Sequence, residues 1–378
     1  MTPTIEAPPV AEDEIAREPR ALPYLFEIAP YVGGESKIAG ANRVIRLASN
    51  ESALGPSPKA MAAYREAAAG IYRYPDGAST DLRAAIARHF DIDAARVVCG
   101  TGSDELIGLL ARCYAGPGDE VLYSRHGFLM YPIAAQAAGA MPVAAQETDL
   151  TCDVDSMLAL VGPRTKLVYL ANPNNPTGTY LPAEEVRRLH RGLPASTVLV
   201  LDAAYSEFVS AGDYESGLEL AKSEANVVML RTFSKIHALA GLRVGWCYGS
   251  AAVADILNRV RGTFNVALPA QAAAIASLAD TVALDRARAH NERWRPWLAS
   301  RLRALGLEVT PGVANFVLVR FGYPPRDPHA AFEFLRTRFI LTRKVAAYHL
   351  PEHLRITIGT EEENRAVAAA LADFMTAP

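Results

Sequence analysis

Val227-Val228-Met229-Leu230-Arg231-Thr232-Phe233-Ser234-Lys235-Ile236-His237-Ala238-Leu239-Ala240-Gly241-Leu242-Arg243 is the stretch whose reading decides the fold. It opens with a short apolar run that reads as a buried strand, and Ser234 and Lys235 come just past its end. The chain holds six lysines, Lys37, Lys59, Lys166, Lys222, Lys235 and Lys344, and Lys235 alone follows such a run. An amine in a partly dry pocket has its charged form disfavoured and can act as a nucleophile toward a carbonyl. The Ser234 hydroxyl and, farther on, Arg243 with its planar fork of donors can bind a phosphate. Taken alone, a lysine after a strand is more often a surface charge. Two further segments overturn that reading.

The first is Val198-Leu199-Val200-Leu201-Asp202-Ala203-Ala204-Tyr205, an apolar strand ending in a carboxylate. In open α/β sheets ligands bind outside the carboxyl ends of strands, which is where Asp202 falls. An acid there can keep a pyridine nitrogen protonated, and Tyr205 can hydrogen-bond a ring oxygen. By itself a strand-ending Asp is more often a helix cap. The second segment, Leu167-Val168-Tyr169-Leu170-Ala171, runs into Asn172-Pro173-Asn174-Asn175-Pro176-Thr177-Gly178. Two prolines and a glycine make a rigid turn, and Asn175 offers an amide donor. Earlier in the chain, Gly100-Thr101-Gly102-Ser103-Asp104-Glu105 stands between the strand Arg96-Val97-Val98-Cys99 and an apolar helix. Backbone N–H groups at such a helix start can approach a phosphate, helped by the dipole; Ser103 and Asp104 could equally be plain helix caps.

Three strands in order, each delivering a cofactor-binding group at its end, resemble the fold-type I aminotransferases dependent on pyridoxal 5'-phosphate (PLP). Within that family the chain is similar to the histidinol-phosphate group. The resemblance runs from Ile28-Ala29-Pro30-Tyr31-Val32 to Leu354-Arg355-Ile356-Thr357-Ile358-Gly359. It implies that Lys235 is the cofactor-bearing lysine and Asp202 the acid facing the pyridine nitrogen. Tyr205 and Asn175 would meet the ring oxygen, and Ser234, Arg243, Gly102, Ser103 and Asp104 the phosphate. Phe128, in His126-Gly127-Phe128-Leu129-Met130-Tyr131-Pro132, would stack on the ring, where many relatives carry tyrosine. Tyr74, in Tyr72-Arg73-Tyr74-Pro75, would reach the cofactor phosphate of a second subunit, so a homodimer is expected. Arg355 would bind the substrate carboxylate or a phosphate, and Arg343 and Tyr31 would line the substrate-phosphate side. Gly33-Gly34 replaces the family's usual Pro-Gly and Ala53 a common proline; both bear on substrate preference, not on the chemistry.

The implied reaction is a ping-pong transamination. It would pass the amino group of L-histidinol phosphate to 2-oxoglutarate, giving imidazole-acetol phosphate and glutamate in histidine biosynthesis. Rivals are an aromatic-amino-acid aminotransferase acting on phenylalanine and tyrosine, an enzyme doing both, and a PLP-dependent phosphothreonine decarboxylase. From another class comes a transcriptional regulator with an aminotransferase-like sensor. A regulator needs a DNA-binding module, for which residues 1–23 are too short.

The 378 residues, half of them hydrophobic, exceed one typical domain. The expected division is an N-terminal arm over 1–23, a lead-in over 24–46, a large domain over 47–268 and a small C-terminal domain over 269–378. Alternating strands and helices from about residue 47 predict an α/β fold, a mostly parallel sheet with helices on both faces. Arg286 to Leu305 is expected to be the helix leading into the small domain, whose strands would lie at 316–319 and 354–358. A net charge of −3 with no basic stripe argues against nucleic acid. Cys99, Cys113, Cys152 and Cys247 are scattered, which argues against disulfides and zinc. With no secretory signal and no membrane-length apolar run, the protein is expected to be cytoplasmic, with no metal and no membrane partner.

Overall fold

The structure is a computed structural model that describes residues 20–40 and 43–376. Of the expected arm, residues 1–19 lie outside the described residues. Seven strands make the main sheet: β1 (Val97–Gly100), β2 (Glu120–Ser124), β3 (Met141–Ala145), β4 (Thr165–Ala171), β5 (Val198–Asp202), β6 (Val227–Thr232) and β7 (Gly245–Tyr248). Their order is β1-β7-β6-β5-β4-β2-β3. Neighbours run parallel except at β7, which is antiparallel to both β1 and β6. The central strands are apolar over most of their length, as strands covered on both faces are, with polar residues towards their ends. Leu199, Leu201 and Met229 lie in one core cluster, Val200, Val228 and Leu230 in the other.

Four antiparallel strands form a second sheet: β8 (Glu308–Val309), β9 (Phe316–Arg320), β10 (Arg343–Lys344) and β11 (His353–Thr357), in the order β8-β9-β11-β10. Its core gathers Val317, Val319, Leu354 and Ile356 with Trp294, Leu298 and Leu302 of the helix Thr281–Ala304 and Leu371 of the last helix. That helix begins five residues before the expected Arg286 and contains Pro296, which removes one helical hydrogen bond.

The segment between the two sheets packs against the large one. Pro269 lies in the first turn of the helix Leu268–Leu278, where its missing N–H is tolerated, so it starts a helix instead of interrupting one. Ala270, Ala273, Ala274 and Leu278 of this helix are buried in the core of the large sheet. Ile45–Arg46 pairs in parallel with Ile340–Leu341, and Leu47 is buried in the small core.

Candidate active site

The carboxyl ends of β4, β5 and β6 open on a cavity of about 300 Å³. Tyr31, Ser103, Asp104, Phe128, Asn175, Asp202, Tyr205, Ser234, Lys235, Arg243, Arg343 and Arg355 all line it. Residues more than three hundred positions apart in the chain thus meet in one space. Two expected site residues stand outside it. Gly102 lies behind the Arg243 guanidinium. Tyr74 is 82% exposed and stacks on Phe264, ring centres 4.6 Å apart.

Asp202 is the last residue of β5 and is buried. Tyr131 donates to its Oδ2 at 2.8 Å, and the Ala204 N–H reaches Oδ1 at 3.3 Å. Burial pushes the carboxyl up to about 6, although the Tyr131 hydroxyl works against the shift. Tyr131 stacks on Tyr169 at 4.6 Å, within the core beneath the cavity floor. A buried carboxylate with two neutral donors can take a cationic N–H as a further partner.

Lys235 follows β6 and is half-buried. Its Nζ donates to the Ser49 carbonyl at 3.3 Å and lies 5.6 Å from the centre of the Tyr205 ring. Burial brings the amine down to about 8, helped by the charges of Arg355 and Arg243 and opposed by Asp104 and Glu51. Near neutral pH such an amine has a usable neutral fraction. Tyr205 takes a 2.8 Å bond from Asn50 Nδ2, and burial pushes its hydroxyl up to about 12.

A third group surrounds the start of the helix Ser103–Tyr114. Gly102, its N-cap, has φ +79° and ψ 168° and makes no side-chain cap, a conformation open essentially to glycine alone. A Cβ here would run into the Arg243 guanidinium. Arg243 donates to Asp104 at 3.0 Å and to Ser234 Oγ at 3.3 Å. Thr232 orients Ser234 in turn, its hydroxyl taking the Ser234 N–H at 3.1 Å. Asp104 is therefore an ion-pair partner, not a helix cap. A guanidinium, a serine hydroxyl and the first free N–H groups of a helix make a cradle for a phosphate.

Arg343 and Arg355 are directly opposite each other on the antiparallel strands β10 and β11, and both are buried. Among the described residues neither has a carboxylate at ion-pair distance. Arg355 bonds Asn175 Oδ1 and, at 2.6 Å, the Ala48 carbonyl, while its Nε has no partner. Arg343 donates to the Val32 carbonyl at 2.6 Å, with its guanidinium carbon 5.9 Å from the Tyr31 ring centre. The lead-in segment that carries Tyr31 approaches closely: a Cβ at Gly34 would lie 2.9 Å from that of Ala48. Like charges facing each other across a ladder destabilise it, so this pair is arranged for an anion.

Sequence reasoning passed over Asn50, Tyr131 and Thr232. Tyr131 has the helical spacing of a core residue, and its bond to Asp202 arises only when α/β packing brings it under β5. Asn50 did leave a signal: a polar Ser49-Asn50-Glu51 directly after the apolar Leu47-Ala48. It is buried with φ +54° and bonds both Tyr205 and Thr357.

This donor set fits PLP. The cradle suits its phosphate, Asp202 its ring nitrogen and Lys235 its aldehyde. A family model described as aminotransferase class I and II matches residues 42–371. Histidinol-phosphate aminotransferases from Paramagnetospirillum magneticum and Rhodospirillum centenum are 58% and 57% identical, covering 95% and 93% of this chain and 99% and 98% of theirs. The crystal structure of the histidinol-phosphate aminotransferase from Sinorhizobium meliloti, in complex with PLP, superposes with a TM-score of 0.87 at 32% identity, covering 96% of this chain and 99% of that one. Strand-end chemistry, cradle and relatives agree: the chain belongs to the class I and II aminotransferases, PLP-dependent enzymes of fold-type I.

Proposed function

We propose that this aminotransferase moves the amino group of L-histidinol phosphate to 2-oxoglutarate, giving imidazole-acetol phosphate and glutamate in histidine biosynthesis. One observation carries the choice of substrate: two buried guanidiniums face each other across β10 and β11 without a carboxylate partner among the described residues. A dianionic phosphate monoester relieves that repulsion better than a single carboxylate does. The names of the relatives support the same reading.

When bound, PLP supplies the electron sink for a carbanion at the substrate carbon. Lys235 would provide the amine that holds the cofactor, and its lowered affinity for a proton would suit it to carry a proton to and from the substrate carbon. Asp202 keeps the ring nitrogen protonated. Its burial strengthens that charge pair by excluding water. Tyr205 and Asn175 orient the ring oxygen, Phe128 covers a ring face, and Ser103, Ser234 and Arg243 hold the phosphate. Arg355 serves a carboxylate in one half-reaction and a phosphate in the other, while Arg343 and Tyr31 bind the phosphate alone.

The reading includes a homodimer in which Tyr74 serves the neighbouring site, and residence in the cytoplasm. The high exposure of Tyr74 agrees with a partner-facing role. Among the described residues no helix is long and apolar enough to cross a membrane. It also includes a division into a large domain over 47–268 and a small domain over 269–378, a reading that the separate cores of the two sheets support.

The test is a side-by-side measurement of kcat/KM for histidinol phosphate, histidinol, phenylalanine and tyrosine with 2-oxoglutarate as acceptor. Histidinol phosphate should lead by several orders of magnitude, because losing its phosphate leaves buried donors unpaired. Equal values for phenylalanine or tyrosine would instead identify an aromatic-amino-acid aminotransferase.

A further inference from the structure

Strands β5 and β6 pair as far as Asp202 opposite Leu230, and the Ala203 N–H extends the ladder to the Leu230 carbonyl at 3.0 Å. Past Asp202 the chain runs through Tyr205 into the short helical turn Ser206–Phe208. A buried ion pair ties that turn back to Arg231 in β6. Arg231 Nη2 lies 2.7 Å from Glu207 Oε1, with side chains only 7% and 13% exposed. In every other ion pair between described residues at least one partner is exposed.

The surroundings of this pair are built, not incidental. The Arg231 guanidinium carbon lies 4.9 Å from the centre of the Phe90 ring. Arg288, on the long helix, donates from Nε to the Glu207 carbonyl at 3.0 Å and from Nη1 to Asp285 at 2.7 Å. His237 bonds Ser277 at 2.8 Å, and burial brings it down to about 4, so it stays neutral. His89 is also lowered by burial and by Arg231, and burial raises the Tyr214 hydroxyl. Burial by itself would raise the Glu207 carboxyl, but the charge and hydrogen bond of Arg231, together with the His237 side chain and a backbone N–H, hold it below the ordinary range. Arg231 is the one group at ion-pair distance from this carboxylate among the described residues.

A buried ion pair is a poor device for stability, since apolar residues of similar volume commonly do as well or better. Placement is what this one can supply. It fastens the residue two beyond Tyr205 to the residue four before Lys235. Between them Tyr205 and Ile236 pack in one apolar cluster with Leu284 and Ala287 of the long helix.

We propose, resting on the aminotransferase reading, that Arg231 and Glu207 are positioning residues: their ion pair sets the approach of Tyr205 to the Lys235 amine, and so to the cofactor that this amine would hold. Neither residue lines the catalytic cavity, so neither touches substrate.

The experiment uses holoenzyme of the wild type, of Glu207→Gln, and of the doubly apolar Arg231→Met/Glu207→Met variant. Three quantities are read: the thermal midpoint, the pH at which the cofactor absorbance changes, and kcat against KM. The double variant is expected to keep its midpoint and its cofactor, while the spectroscopic transition moves by at least about half a pH unit, a roughly threefold change in proton affinity. Its kcat should fall at least about tenfold with KM for 2-oxoglutarate little changed, as a fault in placement requires. A lower midpoint with an unmoved transition and kcat would overturn the proposal and leave the pair a purely structural one. Should the double variant fail to fold, Glu207→Gln decides: it keeps an acceptor for Arg231 and loses the charge. A smaller spectroscopic shift in the same variant supports the proposal, and none overturns it. A wild type without cofactor absorbance or transaminase activity would sink the aminotransferase reading itself, before any variant is compared.

Discussion

Asp202→Asn should stabilise the cofactor-free protein and cripple the enzyme. The folded value of this carboxyl, about 6, stands above its ordinary 3.8 because the group is buried. Between those values the folded state binds more protons than the unfolded one, so stability falls as pH rises through the window. The whole penalty is present above about pH 6 and none remains below pH 4. A shift of about two units corresponds to ~3 kcal/mol as an upper bound. Asparagine has the same shape, keeps an acceptor for Tyr131 and carries no charge. In urea unfolding of cofactor-free protein, the variant should match the wild type near pH 4 and exceed it by up to ~3 kcal/mol at pH 8. With PLP present the order reverses, since the partner that offsets the buried charge has returned. Loss of a charge-assisted bond of ~1.5–3 kcal/mol should weaken cofactor retention by about tenfold to a hundredfold, and turnover should fall with the loss of ring protonation. If the stability difference between variant and wild type were the same at pH 4 and pH 8, the buried-charge argument would be wrong.

Other substitutions test the remaining parts of the site. Arg343→Ala should raise KM for histidinol phosphate far more than for glutamate, whereas Arg355→Ala should impair both; equal effects from Arg343→Ala would remove its assignment to the phosphate. Gly102→Ala forces a side chain into a conformation costing ~1–3 kcal/mol and pushes on Arg243, so PLP should dissociate more readily, as equilibrium dialysis would reveal. Mixing a Tyr74 variant with a Lys235 variant should restore one intact site per dimer; mixed dimers without recovered activity would mean that Tyr74 acts within its own chain. Borohydride reduction of holoenzyme followed by peptide mapping should place the pyridoxyl label on Lys235 and on none of the other five lysines.

Strand ends were the legible part of this site. An apolar run must cross the core, and the polar residues just past it must emerge at the sheet's edge. Asp202, Lys235 and Asn175 were readable as candidates from the three runs taken together, and none of them from its own position alone. Arg355 stood out as a charge within the alternating strand Leu354-Arg355-Ile356-Thr357-Ile358. Thr281–Ala304 was foreseen only from Arg286 onward, since the preceding Thr281-Val282-Ala283-Leu284-Asp285 carries no helix stop or start strong enough to fix its end. The helix Leu268–Leu278 packs into the core of the large sheet, a contact that its local sequence does not announce.

Sequence by itself determined the α/β class, the strand-end residues and, through their order, the family. Local patterning suffices there because hydrophobic period and turn chemistry are properties of neighbouring residues. Tertiary structure alone decided which distant groups meet. Asn50 reaches Tyr205, Tyr131 reaches Asp202, Arg243 joins Asp104 to Ser234, and Arg343 comes to face Arg355. It also decided the proton affinities of Asp202 and Lys235, because burial sets them and burial belongs to the packed molecule, not to any segment of its chain.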